Sequence, residues 1–295
     1  MLQTIDDYEL LEKCGEGGFG IVYRAKGPVG NVVALKKVST CGSNYKREIE
    51  ALKEYQQCSD NDGIIKILHV SSIRDEYFYY TMELADNLTS DGEQYIPWTL
   101  AEYLKIKNQP LKAVDTLEMI RQLLDGLESV HNKGFVHRDI KPGNILWVNG
   151  KAKLGDIGLL ANDGSMTMPA GSAGFIPPES SGIKLNTPEA DVYALCRVVY
   201  CAVSGKTVSN YPRIEFTDDL KQNGKALIKI INCGMKKCTI KDIRAILDKY
   251  APLQNTGDVE KKEDHIAMKI IKIGGLACLS IGVFIGGIII GRNSK

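Results

Sequence analysis

Apolar and polar positions divide the chain into a strand-rich first part and a helix-rich second part. The stretch 10–26 reads as strand, glycine turn, strand, and Asn31-Val32-Val33-Ala34-Leu35-Lys36-Lys37-Val38 alternates with period two. Ile49, Leu52 and Tyr55 recur at helical spacing over 45–56, and further strands are expected at 64–70 and 77–84. From Trp98 the period lengthens. Thr99 and Glu102 form a capping-box pattern ahead of one helix, and a longer amphipathic helix is expected over 111–132, ended by Lys133-Gly134. Ile145-Leu146-Trp147-Val148, Asn149-Gly150 and Lys151-Ala152-Lys153-Leu154 carry the two-residue hairpin signal. Residues 159–179 show no apolar periodicity. Thr187-Pro188-Glu189 then opens a helix with a cap and an N1 proline, and more helices are expected near 212–220, 225–233 and 239–250.

Composition narrows the partners more than the fold. The chain of 295 residues can bury a substantial core, and its 37 basic and 36 acidic side chains nearly cancel. No nucleic-acid partner is expected from so even a balance. The eight cysteines form no Cys-x-x-Cys pair, so free thiols in a reducing compartment are expected, without zinc or a disulfide framework. Residues 1–12 hold four acids and no long apolar stretch, which argues against an N-terminal signal.

Candidate chemistry concentrates on Phe135-Val136-His137-Arg138-Asp139-Ile140-Lys141-Pro142-Gly143-Asn144, where Pro142 and Gly143 exclude a regular helix. A carboxylate, an ammonium and an amide thus share one loop that enters the hairpin. The hairpin ends in Gly155-Asp156-Ile157-Gly158, which returns a second carboxylate to that loop. Such a set suits phosphoryl transfer: Asp139 can accept the proton of a hydroxyl, Lys141 can offset phosphoryl charge, and Asn144 and Asp156 are hard oxygen ligands of the kind Mg requires. Upstream, Gly15-Glu16-Gly17-Gly18-Phe19-Gly20 would let backbone N–H groups approach phosphate oxygens. Dinucleotide-binding folds share that spacing, but there a helix follows, whereas Ile21-Val22-Tyr23 is β-prone.

Read together, these motifs resemble the protein kinase family over about residues 8–250. His137-Arg138-Asp139-Ile140-Lys141-Pro142-Gly143-Asn144 is similar to its catalytic loop, and Asp156-Ile157-Gly158 to its metal-binding triplet. The lysine two residues after the aspartate is the form typical of serine/threonine-specific members, here most like the compact bacterial kinases. The resemblance implies an α+β, bilobal protein-kinase fold, with a β-rich N-lobe at about 8–84 carrying one helix and a helical C-lobe at about 88–250. It implies ATP and Mg as cofactors and proteins as substrates. The glycine loop, Val22, Ala34 and Lys36 would hold the nucleotide, and Glu48 would pair with Lys36. Met82 would back the adenine pocket, while Glu83 and Ala85 would offer backbone groups to the base. Ser172 would contact the catalytic aspartate and lysine, and Ser165 or Thr167, once phosphorylated, would pair with Arg138. Asp191 would brace the loop of His137 and Arg138. Glu179 ends the Pro177-Pro178-Glu179 segment, and Lys237 stands where the family usually has an arginine to pair with it. Ile157, where phenylalanine is usual, is expected to alter the balance of active and inactive states. These two departures are what would favour the alternative, a membrane-anchored pseudokinase scaffold.

Residues 251–269 read as a linker, and 270–290 as a membrane span. No charge interrupts 273–290; Lys269 and Lys272 precede that run, and Arg292 and Lys295 follow it. A single-pass protein with its kinase-like part on the ATP-bearing cytoplasmic side is expected, with lipid as a partner of the span. Gly274, Cys278, Gly282 and Gly286 recur every four residues, a stripe that would permit a homodimer and phosphorylation in trans.

Overall fold

The computed structural model describes residues 3–253 except 18–19, 42–43, 56–61, 75, 90–93, 157, 159–160, 163–170 and 235. The described residues up to Ala251 belong to one compact unit. The candidate span at 270–290 lies outside the described residues, and among those described no helix is long and apolar enough to cross a membrane.

Alternation in the first part builds a six-stranded antiparallel sheet. Its strands are β1 (Thr4–Ile5), β2 (Tyr8–Gly17), β3 (Gly20–Lys26), β4 (Val32–Ser39), β5 (Ile67–Val70) and β6 (Tyr77–Met82), ordered β1-β2-β3-β4-β6-β5. Because side chains alternate between faces, the register fixes which residues meet. Val22, Lys36 and Tyr80 stand in one cross-strand row, and Arg24, Ala34 and Met82 in another. The opposite face buries Ile5, Leu10, Ala25, Val33, Leu35 and Tyr79 together. Helix α1 (Asn44–Tyr55) covers the sheet, burying Ala51, Leu52 and Tyr55 against Val38, Phe78 and Tyr80. The expected strand at 64–70 begins only at Ile67. Its leading residues pair elsewhere: Ile65 N–H donates to the Leu154 carbonyl at 2.9 Å, tying the sheet to the second lobe.

In the second lobe α2 spans Leu100–Lys107, with the Thr99 side chain accepting from Glu102 N–H. Helix α3 (Ala113–Asn132) buries Ile120, Leu123, Leu124 and Leu127 at helical spacing. It leads into β7 (Phe135–Val136), the catalytic-type loop and the hairpin β8 (Ile145–Val148) and β9 (Lys151–Leu154), in register as the Asn149-Gly150 turn requires. Strand β10 (Ala161–Asn162) pairs back on β7. Helix α4 (Pro188–Ser204) is buried from Asp191 to Val203, so apolar residues on every side meet neighbours. Helices α5 (Asp218–Asn223), α6 (Lys225–Cys233) and α7 (Ile240–Tyr250) complete the lobe. The helix expected at 212–220 starts later because the Thr217 side chain caps Leu220 N–H and begins the first turn there.

Two expectations need correction. Cys233 and Cys238 are disulfide-bonded, since the turn from the end of α6 to the start of α7 brings their α-carbons to 5.6 Å. A five-residue spacing has no metal-type signature, which hid the pairing. Cys14, Cys41, Cys196 and Cys201 are free thiols as expected, whereas Cys58 and Cys278 lie outside the described residues. Second, Glu179 and Lys237 are both exposed, and no ion pair joins them. Lys237 sits on the same surface turn that the disulfide closes, and a flexible ammonium there stays with water.

Gly63 and Gly126 decide how closely α3 approaches the chain entering β5. A Cβ on either would land on the backbone of the other. Backbone cannot swing aside, so the clash outweighs the helix propensity that alanine adds. Gly126→Ala is expected to destabilise the domain by about 1–3 kcal/mol, measured as a lower urea midpoint.

Candidate active site

The two cross-strand rows face a cavity of about 400 Å3 under the glycine hairpin. Of the sequence-predicted residues, Gly15, Glu16, Gly17, Gly20, Val22, Ala34, Lys36, Met82, Glu83, Ala85, Lys141, Asn144 and Asp156 all line it. Gly18 and Phe19 fall outside the described residues. Gly20 has φ +127, and a Cβ there would strike the Lys37 carbonyl, so the turn admits only glycine.

Lys36 is the hub. Its Nζ donates to Glu48 Oε1 at 2.7 Å and to Asp156 Oδ1 at 2.9 Å, joining β4, α1 and the segment after β9. Glu48 is fully buried and also accepts from the Tyr80 hydroxyl at 2.7 Å. Burial alone would lower the Lys36 pKa, but Tyr80, Asp156 and Glu48 together hold it well above the ordinary lysine value. Asp156 shows the converse balance: burial raises its pKa, and Lys36, Lys141 and His137 bring it below the usual carboxylate value. Gly158 is needed beside them, because a Cβ there would land on the Glu48 carboxylate.

The catalytic-type loop is held from beneath by Asp191 of α4. Its carboxylate accepts from the backbone N–H of His137 at 2.7 Å and of Arg138 at 2.8 Å, with His131 Nε2 at 2.9 Å. Buried His137 donates through Nε2 to the Gly155 carbonyl at 3.1 Å, linking this loop to the metal-type triplet. Arg138 and Asp156 both have left-handed backbone, with φ 71 and φ 51, strain of a kind that accumulates at functional sites. Asp139 is 3% exposed. Its carboxylate accepts from Lys141 Nζ at 2.7 Å, Asn144 Nδ2 at 2.9 Å and Ser172 Oγ at 3.0 Å. Ser172 thus reaches the aspartate as expected, while no hydrogen bond joins it to Lys141. Ile157, Ser165 and Thr167, and with them the expected pairing of a modified loop with Arg138, lie outside the described residues.

Asn144 spends its amide nitrogen on Asp139, and its amide oxygen has no protein partner among the described residues. Asp156 likewise has one carboxylate oxygen beyond the Lys36 bond, and both side chains line the cavity. Two hard oxygens at the edge of one cavity could hold a Mg ion whose other ligands would be phosphate oxygens and water.

Some lining residues fall outside the sequence motifs. Tyr80 shares a face with Met82 by strand alternation, a signal the sequence does carry. Glu83 is expected to act through its backbone, but its carboxylate also accepts from Lys153 Nζ at 2.9 Å and from Lys66 N–H at 2.8 Å, anchoring the hinge. Tyr95, Pro97 and Thr99 also line the cavity, and no periodicity marks the loop that carries them.

A cleft between a sheet lobe and a helical lobe, spanned by a lysine bonded to two carboxylates, is the arrangement of a bilobal kinase fold. The description "Protein kinase domain" matches residues 8–253, and the chain belongs to the protein kinase family. Its curated relatives include the mouse "Interferon-induced, double-stranded RNA-activated protein kinase", 30% identical over 76% of this chain and 47% of the relative. The "Serine/threonine-protein kinase PknK" of Mycobacterium tuberculosis is 31% identical over 67% of this chain and 18% of the relative. The rice "Wee1-like protein kinase" is 28% identical over 68% of this chain and 36% of the relative. The chain thus spans less than half the length of each of these relatives. A protein kinase domain implies protein substrates and the general use of ATP and Mg.

The two shifted groups set the pH window of the hub. A depressed Asp156 contributes stability that is present above its ordinary value of 3.8 and lost as pH falls through its lower folded value. A raised Lys36 contributes stability present below its ordinary 10.5 and lost only at more alkaline pH. The stability difference between wild type and Asp156→Asn, read by urea unfolding, is therefore expected to stay flat from about pH 5.5 to 9 and to shrink only below about pH 4. A difference that titrates near neutrality would contradict the assignment.

Proposed function

We propose that the chain is a serine/threonine protein kinase that moves the ATP γ-phosphoryl group to protein hydroxyls. The observation that carries this reading is Lys36 bonded at once to Glu48 and Asp156 at the edge of a cavity that Lys141 and Asn144 also line. Lys36 would grip the nucleotide phosphates, with Glu48 preventing its retreat. Asn144 and Asp156 would hold Mg, which when bound offsets the phosphate charge. Asp139 would orient the substrate hydroxyl and take its proton, and Lys141, 2.7 Å from that carboxylate, would neutralise charge on the moving group. The relatives named as serine/threonine kinases and the Asp139-Ile140-Lys141 order support hydroxyl specificity of that type.

A catalytically silent nucleotide-binding scaffold is the weaker reading, because every group that transfer requires is present. Asp139→Asn keeps the size of the side chain and removes its basicity. In the full chain supplied with Mg-ATP and a generic protein substrate, it is expected to lower transfer by about 100-fold or more. Phosphoserine or phosphothreonine should appear in the wild type; equal rates in the two proteins would rule the kinase reading out.

The apolar run at 273–290, flanked by lysine and arginine, supports a membrane tether with the kinase domain on the cytoplasmic side. Its small-residue stripe supports pairing in the bilayer and autophosphorylation in trans, with Ser165 and Thr167 as candidate acceptors. The full chain is expected to stay in the membrane pellet after alkaline carbonate extraction, and its recovery in the supernatant would exclude the tether.

A further inference from the structure

The loop after the hinge turns back on itself. Leu88 N–H donates to the Ile96 carbonyl at 2.9 Å, Ile96 N–H to Asn87 Oδ1 at 3.0 Å and Trp98 N–H to the Asp86 carbonyl at 2.8 Å. This return places Tyr95 against the hinge, where its hydroxyl donates to the Ala85 carbonyl at 2.9 Å. The Arg24 guanidinium lies 5.1 Å from the Tyr95 ring centroid, and Arg24 is itself held by Glu12 at 3.0 Å. Tyr95 is thus fixed from both lobes and forms part of the wall of the nucleotide cavity.

Hydrogen bonds hold the hinge at both ends. Asp86 N–H donates to the Trp147 carbonyl at 2.7 Å, and the Asp86 carboxylate accepts from Asn149 and Gly150 N–H, each at 2.8 Å. Glu83 N–H is taken by the Lys66 carbonyl at 3.0 Å. Among the described residues, the Glu83 carbonyl and the Ala85 N–H, like the two backbone groups of Leu84 between them, have no protein partner, while the Ala85 carbonyl is occupied. Burial, reinforced by Cys14, pushes the Tyr95 phenol above its ordinary value, so it remains a donor at neutral pH.

We propose that Tyr95 is a specificity-determining residue: by occupying the Ala85 carbonyl, it takes up the acceptor next to the Ala85 N–H and so selects adenine over purines carrying a 2-amino group. The proposal rests on reading the cavity as the ATP site. Adenine offers an N6 amino donor and an N1 acceptor, which the Glu83 carbonyl and Ala85 N–H complement, and its C2–H asks for nothing. A 2-amino group adds a donor that needs a second acceptor. The one beside the Ala85 N–H already accepts from the Tyr95 hydroxyl, which stands in the adjoining wall, so the amino group competes with the phenol for it. The extra donor must then be buried unpaired or displace Tyr95, and either loses affinity.

The test is the Michaelis constant of the full chain for Mg-ATP and for Mg-2,6-diaminopurine riboside triphosphate, in the wild type and in Tyr95→Phe. The wild type is expected to favour ATP by about tenfold, and Tyr95→Phe, which keeps the ring and frees the carbonyl, to remove most of that preference. General loosening of the loop would raise both constants alike and leave their ratio unchanged. Competition of adenosine and 2-aminoadenosine against ATP in the wild type alone gives a second reading, again with adenosine favoured about tenfold. ATP bound and used with no preference, or with a ratio that Tyr95→Phe leaves unchanged, overturns the Tyr95 assignment alone. Failure to bind ATP at all overturns the reading of the cavity and the proposal with it.

Discussion

A buried lysine with two carboxylate partners from distant parts of the chain is the constraint on which the structure depends. Lys36 is 5% exposed, so its charge has to be met inside the protein. Glu48 meets it from α1, which fixes that helix on the sheet. Asp156 meets it from the segment after β9, which brings the second lobe under the first. Removing Lys36 from such an arrangement typically costs about 3–5 kcal/mol, because Glu48 is left charged and dry. The same contacts arrange an ammonium, two hard oxygens and a glycine hairpin around one cavity. Fold and candidate chemistry therefore share their strongest electrostatic link.

The second lobe supplies the complementary constraint. Asp191, 2% exposed on a helix buried on all sides, accepts backbone N–H groups from the loop that carries Asp139. A strained residue such as Arg138 persists only where its surroundings over-determine it, and Asp191 does that here. The hinge is fixed in the same manner, by Asp86 capping the Asn149-Gly150 turn and by Glu83 bonded to buried Lys153. Phosphoryl transfer, the proposed reaction, asks mainly for position, and these backbone anchors would supply it.

Much of this was legible in the sequence because local chemistry and global fold agree. Asn149-Gly150 dictates its hairpin, Thr187-Pro188 its helix start, and the alternation of Ala34 and Lys36 the face that meets the cavity. Family resemblance named Glu48, and packing placed it beside Lys36. What could not be read depended on chain returns without periodicity. The disulfide arises from a turn between two helices, and Tyr95 reaches the hinge through a loop whose hydrogen bonds exist only once it is folded. The expected pair of Glu179 with Lys237 failed for a related reason: a motif position does not bring an exposed, flexible ammonium to its partner. The helix expected near 212–220 was displaced because a strong cap at Thr217 outweighed the general helical tendency before it.

The central claim is that Lys36 couples the two lobes through Asp156. A double-mutant cycle on unfolding free energy at pH 7, using Lys36→Met, Asp156→Asn and the pair, measures that coupling directly. The account predicts an interaction energy within about 0.5–3 kcal/mol, with the double variant less destabilised than the sum of the single ones. Effects that add to within about 0.3 kcal/mol would show that the two side chains act independently and would contradict it.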